Sequence, residues 1–317
     1  MMIFRLPFQQ EIFTVNADET DASAVSFFSF DQKRSVHFPG KMVPLQNTES
    51  VNTFFPLKAF DHSAPFETEE EYLQNISRII EWIRENRLKK LVIARKKFTE
   101  ISAPDIWKTF QNLCRKFPSA FVYAFMDNGD CWAGAFSELL GKYSKKSGEF
   151  STMSLAGTLP VEEAWTEKEI CEQQPVTDYI LDILHQFNPE VEVSPTYDHI
   201  SGNIKHLRND FRMKLNRDQL DTVISALHPT PAVCGIPKDF CRKTILDFEQ
   251  FDREYYAGYS RTETEDDIFY FVNLRCGKLY RNAAVLFAGG GITPMSNPQK
   301  EWRETELKAD ALLKSIL

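Results

Sequence analysis

Residues 121–135 read FVYAFMDNGDCWAGA, two apolar runs on either side of the tetrapeptide Asp-Asn-Gly-Asp at 127–130. An Asn-Gly pair between strand-like runs is typical of a tight hairpin turn, because both residues tolerate positive φ angles. The segment therefore predicts a hairpin of residues 121–125 with residues 131–135. Such a hairpin places neighbouring strands antiparallel in the sheet.

Further strand-like runs lie at residues 24–30, 91–94, 268–274 and 281–287. The run at 91–94 is apolar throughout, so we expect a buried strand there. The last two runs are expected to flank a turn that contains Gly277.

Two helices are predicted to begin at capping boxes, in which a Thr is followed by a Glu three positions later. Thr68 and Glu71 form the first box, and the apolar residues after them recur at helical spacing to about Asn86. Thr166 and Glu169 form the second box and open another amphipathic run.

Two prolines bear on the helices in different ways. Pro175 lies inside the second helix and is expected to kink or split it, since proline has no N–H for the helix ladder. Asn297 followed by Pro298 predicts the start of the last helix. Strand-like runs outnumber helices and strict β-α-β alternation is missing, so the pattern favours an α+β fold with mainly antiparallel sheets.

The composition excludes several classes of protein. The chain has 317 residues, a hydrophobic fraction of 43% and a net charge of −8, which is typical of a soluble protein and not of a nucleic-acid binder. No apolar run reaches the roughly 20 residues of a membrane span, and the first residues do not resemble a signal peptide. Six cysteines without a C-x-x-C pair indicate reduced thiols, so we expect a cytoplasmic protein.

Two helix starts carry glutamates at positions i and i+3, which places both carboxylates of a pair on one helix face. The pairs are Glu169 with Glu172 and Glu301 with Glu304. A divalent cation with oxygen ligands, Mg²⁺ above all, would neutralise them. The alternative is a solvated acidic face, since such pairs also arise by chance in a glutamate-rich chain.

Other candidate residues stand at the ends of apolar strands. Lys90 precedes the buried run and is a candidate base, and Glu138 follows an apolar strand and is a candidate acid. Arg275 is placed to bind a carboxylate. Three glycines at 289–291 allow backbone N–H groups to approach an anion closely. The alternatives are solvent-facing charges, a structural ion pair and a plain tight turn.

A series of longer motifs follows one order along the chain. Its segments are KLVIAR (90–95), AGAFSELL (133–140), LAGT (155–158), KEICEQ (168–173), HL (206–207), LHPTPAVCGIPK (227–238), FDREYYAG (251–258), VNLR (272–275), AGGGI (288–292) and EWRETELK (301–308). In this order they resemble the chorismate-utilising enzymes, which make isochorismate, salicylate, anthranilate or aminodeoxychorismate.

The resemblance implies a fold and a domain organisation. Two mainly antiparallel sheets would pack together with helices outside and the active site in a cleft. The likeness covers residues 66–317, the expected catalytic core. Residues 1–65 would form a shortened N-terminal part of a single chorismate-binding domain.

The residue before the apolar strand separates branches of the family. It is lysine in isochorismate and salicylate synthases and typically glutamine in the ammonia-using branches, and here it is Lys90. The resemblance therefore implies water as the nucleophile, no glutaminase subunit and an isochorismate synthase. A salicylate synthase and a non-catalytic chorismate-binding protein are the alternatives.

The resemblance also implies a mechanism on chorismate. Lys90, neutral at the moment of reaction, would take a proton from the water that attacks ring carbon C2. Glu138 would protonate the C4 hydroxyl as it leaves. Mg²⁺ would be held by Glu172 and Glu304, with Glu169 and Glu301 in support.

Substrate-binding roles follow for further residues. Arg275 and Tyr256 would bind the pyruvyl carboxylate, and Lys308 would lie near the ring carboxylate. The residues that would supply backbone N–H groups or line the pocket are Gly289, Gly291, Thr158 and His206.

The sequence departs from the family pattern near the metal helix. Gln173 replaces the usual histidine after Glu172, and Pro175 follows closely, so we expect both residues to affect the geometry of that ligand. Nothing in the sequence requires a partner subunit, so a monomer is expected. Isochorismate feeds both menaquinone and siderophore synthesis, and the motifs do not separate these pathways.

Overall fold

The structure of the protein, a computed structural model, describes residues 1–18, 20–61, 66–201 and 204–316. Within them, the side chains of four residues are outside the description: Lys168, Cys171, Glu172 and Ser201.

Six α-helices lie within the described ranges. They are α1 (Glu69–Glu85), α2 (Ile106–Lys116), α3 (Glu167–Leu184), α4 (Leu220–Leu227), α5 (Lys238–Phe248) and α6 (Pro298–Ile316). Two short 3₁₀ turns are also present, at Val51–Phe54 and Arg217–Gln219. None of the helices in this part of the chain combines the length and apolar character that a membrane crossing requires.

The strands of the described residues pair antiparallel throughout. They are β1 (Met2–Arg5), β2 (Phe13–Ala17), β3 (Ser23–Phe28), β4 (Ser35–Pro44), β5 (Leu91–Glu100), β6 (Phe121–Asp127), β7 (Asp130–Phe136), β8 (Leu139–Ser144), β9 (Glu149–Pro160), β10 (Glu192–Val193), β11 (Tyr197–Ser201), β12 (Ile204–Lys214), β13 (Tyr259–Glu263), β14 (Asp267–Val272), β15 (Cys276–Leu279) and β16 (Ala283–Ile292). Their order is β10-β12-β9-β8-β14-β13-β3-β4-β2-β1-β6-β7-β15-β16-β5, and β11 pairs with β12.

Strand β4 joins two halves of this ladder. Its first residues pair with β3 and its last residues pair with β2, and the change occurs near Gly40. Gly40 has a φ of 123°, and a Cβ there would fall 2.1 Å from the backbone oxygen of Asn16, so only glycine fits. The chain thus passes from one half of the ladder to the other without a break in hydrogen bonding.

Aromatic side chains fill the space between the two halves. Phe27 of β3 packs against Tyr123 and Phe125 of β6, with ring centroids 4.7 and 4.5 Å apart. Phe121 of β6 lies 5.6 Å from Phe271 of β14 in the same way. Such pairs contribute about 0.5–1.5 kcal/mol each beyond the burial of their surface. The prediction of an α+β fold with packed, mainly antiparallel sheets is confirmed.

The locally specified elements match their predictions. The hairpin of β6 and β7 turns at Asn128 and Gly129, which both have positive φ, of 48° and 78°. Thr68 and Thr166 each form the expected capping box, and Asn297 caps α6 by accepting from the N–H of Lys300 at 3.1 Å. These elements depend on residues close together in the chain, which is why their sequence patterns are reliable.

Several boundaries differ from prediction. Gly277 lies in strand β15 opposite Leu286, not in a turn, and a Cβ on it would meet the Leu286 side chain at 2.7 Å. The glycines at 289–291 lie among the last residues of strand β16, as predicted, and the alternative of a tight turn is wrong because β16 continues through them to Ile292. Helix α3 continues across Pro175, so the helix is not split.

Candidate active site

The antiparallel ladder is interrupted beside the last residues of β16. Strand β15 pairs with residues 284–286 of β16, and among the described residues no strand pairs with 287–292 on that side. On the other side, β5 pairs with β16 along its whole length, from Ala283 to Ile292. This edge of the glycine-containing half of β16, which has no strand partner among the described residues, is called the cleft.

The pairing register shows which backbone groups face this cleft. Gly289 and Gly291 lie opposite Ala94 and Val92. Both of those partners direct their N–H groups away from β16, Ala94 to the Glu249 carboxylate at 2.7 Å and Val92 to the Cys234 carbonyl at 2.8 Å.

Directly opposed antiparallel residues that do not bond each other turn their N–H and C=O groups outward. The N–H groups of Gly289 and Gly291 therefore point into the cleft. The Lys308 ammonium bonds the Gly289 carbonyl from the same side, at 2.8 Å. The two glycines for which the sequence predicted anion-binding N–H groups thus direct those groups away from β5.

Lys90 lies at the start of β5, with its side chain half-buried against Gly291. A Cβ at Gly291 would fall 2.3 Å from Cε and 3.0 Å from Nζ of Lys90. Non-bonded carbon atoms do not approach to 2.3 Å, so a Cβ on residue 291 would require the Lys90 side chain to move.

Glu138 lies in the short connection from β7 to β8, where its carbonyl accepts from the N–H of Val272 at 2.9 Å. Burial raises the pKa of its carboxyl group to about 7, and the positive charges of Lys90, Lys308 and Arg275 oppose that rise. Glu138 is therefore part protonated near neutral pH, and three cations surround it. A carboxyl group in this state is suited to proton donation.

Arg275 and Tyr256 both lie at this end of the sheet. Arg275 precedes β15 and has a φ of 45°, and its guanidinium lies 5.1 Å from the ring centre of Phe117. Tyr256 is buried and stacks on Phe287 with centroids 5.6 Å apart. Its hydroxyl lies 2.9 Å from where a Cβ of Gly289 would be. A guanidinium and a phenol at this end of the sheet suit a carboxylate ligand.

His206 of β12 lies near the same cations from another strand. Its Nδ1 is 3.0 Å from the Thr158 hydroxyl and 3.1 Å from the Gly157 carbonyl. Burial, together with the positive charges of Arg275 and Lys308, lowers the pKa of His206 to about 4. The imidazole is therefore neutral at physiological pH.

His199 is a second histidine in this region, and sequence reasoning missed it. It lies directly opposite His206 in the pairing of β11 with β12, so both side chains share one face of the hairpin. Burial and the charges of Arg208 and Arg275 lower the pKa of His199. His199 could have been identified only from the period-2 alternation of the two strands together with their pairing register.

The predicted metal ligands lie in the first two turns of α3 and α6. Glu169 is buried, and its carboxylate accepts from the backbone N–H of Thr166 at 3.2 Å and from the Thr166 hydroxyl. Glu301 is buried as well, whereas Glu304 is half-exposed and bonded to Lys308 at 2.7 Å. The side chain of Glu172 lies outside the described part.

The donor set fits a hard cation in its chemistry. Carboxylate oxygens are the ligands that Mg²⁺ prefers, and the glycine backbone leaves room for one of them. A Cβ at Gly290 would come 3.1 Å from Oε2 of Glu301. Among the side chains that the structure describes, no three His, Cys, Asp or Glu residues already form a metal-binding group.

Comparison with known proteins identifies the family. The profile of the family described as "Chorismate binding enzyme" matches residues 42–317. The chain belongs to this family. The predicted resemblance is confirmed, and the match begins earlier than the expected catalytic core.

Relatives in this family carry more specific names. Isochorismate synthase EntC of Escherichia coli is 35% identical over 202 residues, which are 59% of this chain and 51% of that protein. The salicylate biosynthesis isochorismate synthase of Pseudomonas aeruginosa is 28% identical over 279 residues, 82% of this chain and 58% of that protein. The chain thus spans about half the length of the curated relatives it matches.

A solved structure shares the fold. The menaquinone-specific isochorismate synthase MenF from Escherichia coli superposes with a TM-score of 0.82 over 100% of this chain and 88% of that chain, at 21% identity. At this identity the likeness establishes the fold alone. It agrees with the mainly antiparallel architecture described above.

Proposed function

We propose that the protein is an isochorismate synthase, which converts chorismate to isochorismate with water as the nucleophile. The observation that carries the proposal is Glu138, a carboxyl group with a pKa of about 7 that lies near Lys90, Lys308 and Arg275. One group able to donate a proton and one amine beside it form an acid–base pair. Family membership and the names of the relatives support the same reaction.

In the proposed reaction, one water molecule is consumed at C2 and one is released from C4. Lys90 takes a proton from a water molecule whose oxygen forms a bond to ring carbon C2. The ring double bonds shift, and the bond from C4 to its hydroxyl breaks. Glu138 gives its proton to that hydroxyl, which leaves as water.

The cationic surroundings suit a substrate with two carboxylates. Arg275 and Tyr256 would bind the pyruvyl carboxylate, and Lys308 would lie near the ring carboxylate. The N–H groups of Gly289 and Gly291 would donate hydrogen bonds from the open edge of β16. Thr158 and the neutral His206 would line the pocket without adding charge.

Mg²⁺ completes the proposed site. Glu172 and Glu304 would hold it, with Glu169 and Glu301 in support, and the ion when bound supplies positive charge against the ring carboxylate. The residues described above bind and orient the substrate and move its protons. The proposal needs no glutaminase subunit.

Chromatography of the products from chorismate and MgCl₂ tests the proposal. We expect isochorismate, and an equal yield when ammonium chloride is added. Fluorescent salicylate with release of pyruvate would establish a salicylate synthase instead. Anthranilate formed from ammonium, or binding of chorismate without turnover, would refute the proposal.

A further inference from the structure

Strand β5 is the last strand of the ladder, yet its outer edge is not left to solvent. The N–H of Val92 bonds the Cys234 carbonyl at 2.8 Å, and the N–H of Ala94 bonds the Glu249 carboxylate at 2.7 Å. The carbonyl of Val92 accepts from Arg253 at 2.9 Å. Three successive outward-facing backbone groups of β5 are therefore held from outside the sheet.

A buried ion pair supplies two of these contacts. Arg253 and Glu249 meet through two hydrogen bonds, at 2.8 and 2.6 Å, and their side chains are only 3% and 2% exposed. Arg253 also bonds the Val233 carbonyl at 2.9 Å and lies 4.3 Å from the ring centre of Phe30. A guanidinium with this many fixed acceptors has no freedom to move.

Gly235 closes the outer edge next to Lys90. It forms an isolated antiparallel bridge with Leu91, and its φ is 144°. A Cβ on Gly235 would fall 2.7 Å from the Lys90 carbonyl and 2.8 Å from the sulfur of Cys241. The backbone of Lys90 is thus confined on its outer side by a position that only glycine can occupy.

These contacts account for two motifs that the proposed chemistry does not use. The segment at 227–238 supplies Val233, Cys234 and Gly235, and the segment at 251–258 supplies Arg253. Both converge on the outer edge of β5, on the opposite side of the strand from Gly291. Lys90 therefore stands where β5 is held from both edges.

We propose that Arg253 and Glu249 are positioning residues for Lys90, which they hold against Gly291 by fixing the outer edge of β5. Neither side chain would contact the substrate. The inference rests on the proposed function, in which Lys90 is the base. The buried ion pair affects the rate of proton transfer through the position of Lys90 and leaves substrate binding unchanged.

The variant Arg253→Lys keeps the charge but cannot reach all the acceptors at once. We expect kcat to fall about 100-fold, as for a misplacement near 1 Å, with the KM for chorismate within about twofold of wild type. The matched control is Arg261→Lys. Arg261 also pairs with a glutamate, Glu263, and bonds a backbone carbonyl, that of Ser23, but on β13. The kcat of the Arg261→Lys variant should equal that of the wild type.

A second readout is independent of turnover. Acetylation of the folded protein with an amine-reactive ester, followed by mass spectrometry, measures the reactivity of Lys90 against that of its exposed neighbour Lys89. We expect the ratio to rise in Arg253→Lys, because the released strand lets the amine leave Gly291, and to stay constant in Arg261→Lys. An unchanged ratio, or an equal loss of kcat in the control, would overturn the inference.

Hydrogen exchange on the wild type covers the case in which Arg253→Lys does not fold. The amides of Val92 and Ala94 should exchange as slowly as those of Ile93 and Arg95, which bond β16. Fast exchange at Val92 and Ala94 alone would show that the outer edge of β5 is not held and would refute the inference. If the wild type makes no isochorismate, the proposed function fails, whereas the labelling and exchange results still decide whether β5 is held.

Discussion

Lys90 and Gly291 occupy adjoining space, such that a Cβ on Gly291 would lie 2.3 Å from Cε of Lys90. Lys90 immediately precedes β5, and Gly291 of β16 is paired with Val92, two positions after the lysine. The position of the proposed base therefore depends on the absence of a side chain in β16. A backbone N–H could bind a ligand whatever the side chain at position 291. The packing of Lys90 is what requires glycine there.

The substitution Gly291→Ala should displace the Lys90 side chain. We expect kcat to fall about 100-fold, because a shift near 1 Å in a reacting group has this effect. Steady-state kinetics with chorismate measures it. The control is Gly129→Ala in the β6–β7 turn, where a Cβ meets nothing within 4 Å. It is strained by its positive φ but should retain full kcat, and an equal loss in both variants would contradict the prediction.

Removal of the amine itself should abolish the addition of water. We expect Lys90→Gln to lose about 10²–10⁴-fold in kcat, the usual contribution of a general base. Lys89→Gln changes the exposed neighbour and serves as the matched control with wild-type kinetics. Substantial turnover in Lys90→Gln would exclude the lysine as the base.

The pH dependence should report the proton on Glu138. Burial raises the pKa of Glu138 to about 7, and an acid catalyst is active only while protonated. We therefore expect kcat/KM to fall as the pH rises through about 7. Glu138→Gln should be inactive at every pH, and a wild-type profile that stays flat from pH 6 to 9 would argue against Glu138 as the acid.

The same group should lower the stability of the folded protein at high pH. The pKa of Glu138 is raised from 4.5 to about 7 on folding, so the folded state binds the proton more tightly and stability falls between these pH values. The difference in free energy of unfolding between Glu138→Gln and the wild type should be larger at pH 8 than at pH 4, in favour of the variant. The change should be up to roughly 3 kcal/mol, at about 1.4 kcal/mol per pKa unit. Denaturant unfolding at both pH values measures this, and a pH-independent difference would contradict it.

The proposed metal site predicts a loss of Mg²⁺ affinity in Glu304→Gln. The neutral amide removes one anionic oxygen from the ligand set. Isothermal titration with MgCl₂ measures binding without turnover, and kcat should fall in parallel. Glu70→Gln, an exposed glutamate in the first turn of α1, is the control. An Mg²⁺ titration identical to wild type would exclude Glu304 as a ligand.

Features that depend on neighbouring residues were predictable from the sequence. The turn at Asn128 and Gly129, the capping boxes and the start of α6 each depend on residues within four positions of one another. The fold class followed from counting such elements. The motifs then placed Lys90 and Glu138 in one site because their order along the chain is specific.

Features that depend on pairing between distant strands were not predictable. A glycine is expected in a turn and also where a neighbouring side chain needs room, and Gly277 is of the second kind because Leu286 packs over it. The outward direction of the N–H groups at Gly289 and Gly291 depends on their register with β5. The pairing of His199 with His206 likewise requires the register of β11 and β12.

The environment of Glu138 was only partly predictable. Its apolar neighbours in sequence suggested a raised pKa, but the cations that oppose the rise come from residues as far away as Lys308. The same holds for the buried pair of Arg253 and Glu249, since its target on β5 lies more than 150 residues earlier in the chain. Electrostatics of this kind follow only from the assembled fold.

Arg275 has a positive φ just before β15 begins, and the pairing of β15 with β16 reaches no further than Leu286. If β15 started a few residues earlier, its carbonyl groups would accept hydrogen bonds from the N–H groups of Gly289 and Gly291 and would close this edge of β16. A mutation that lengthened this strand would then extend the ladder and remove the proposed binding site at the same time. The proposed site thus depends on strand pairing that stops early, and a substitution that improved the pairing of the sheet at this point would abolish the proposed activity.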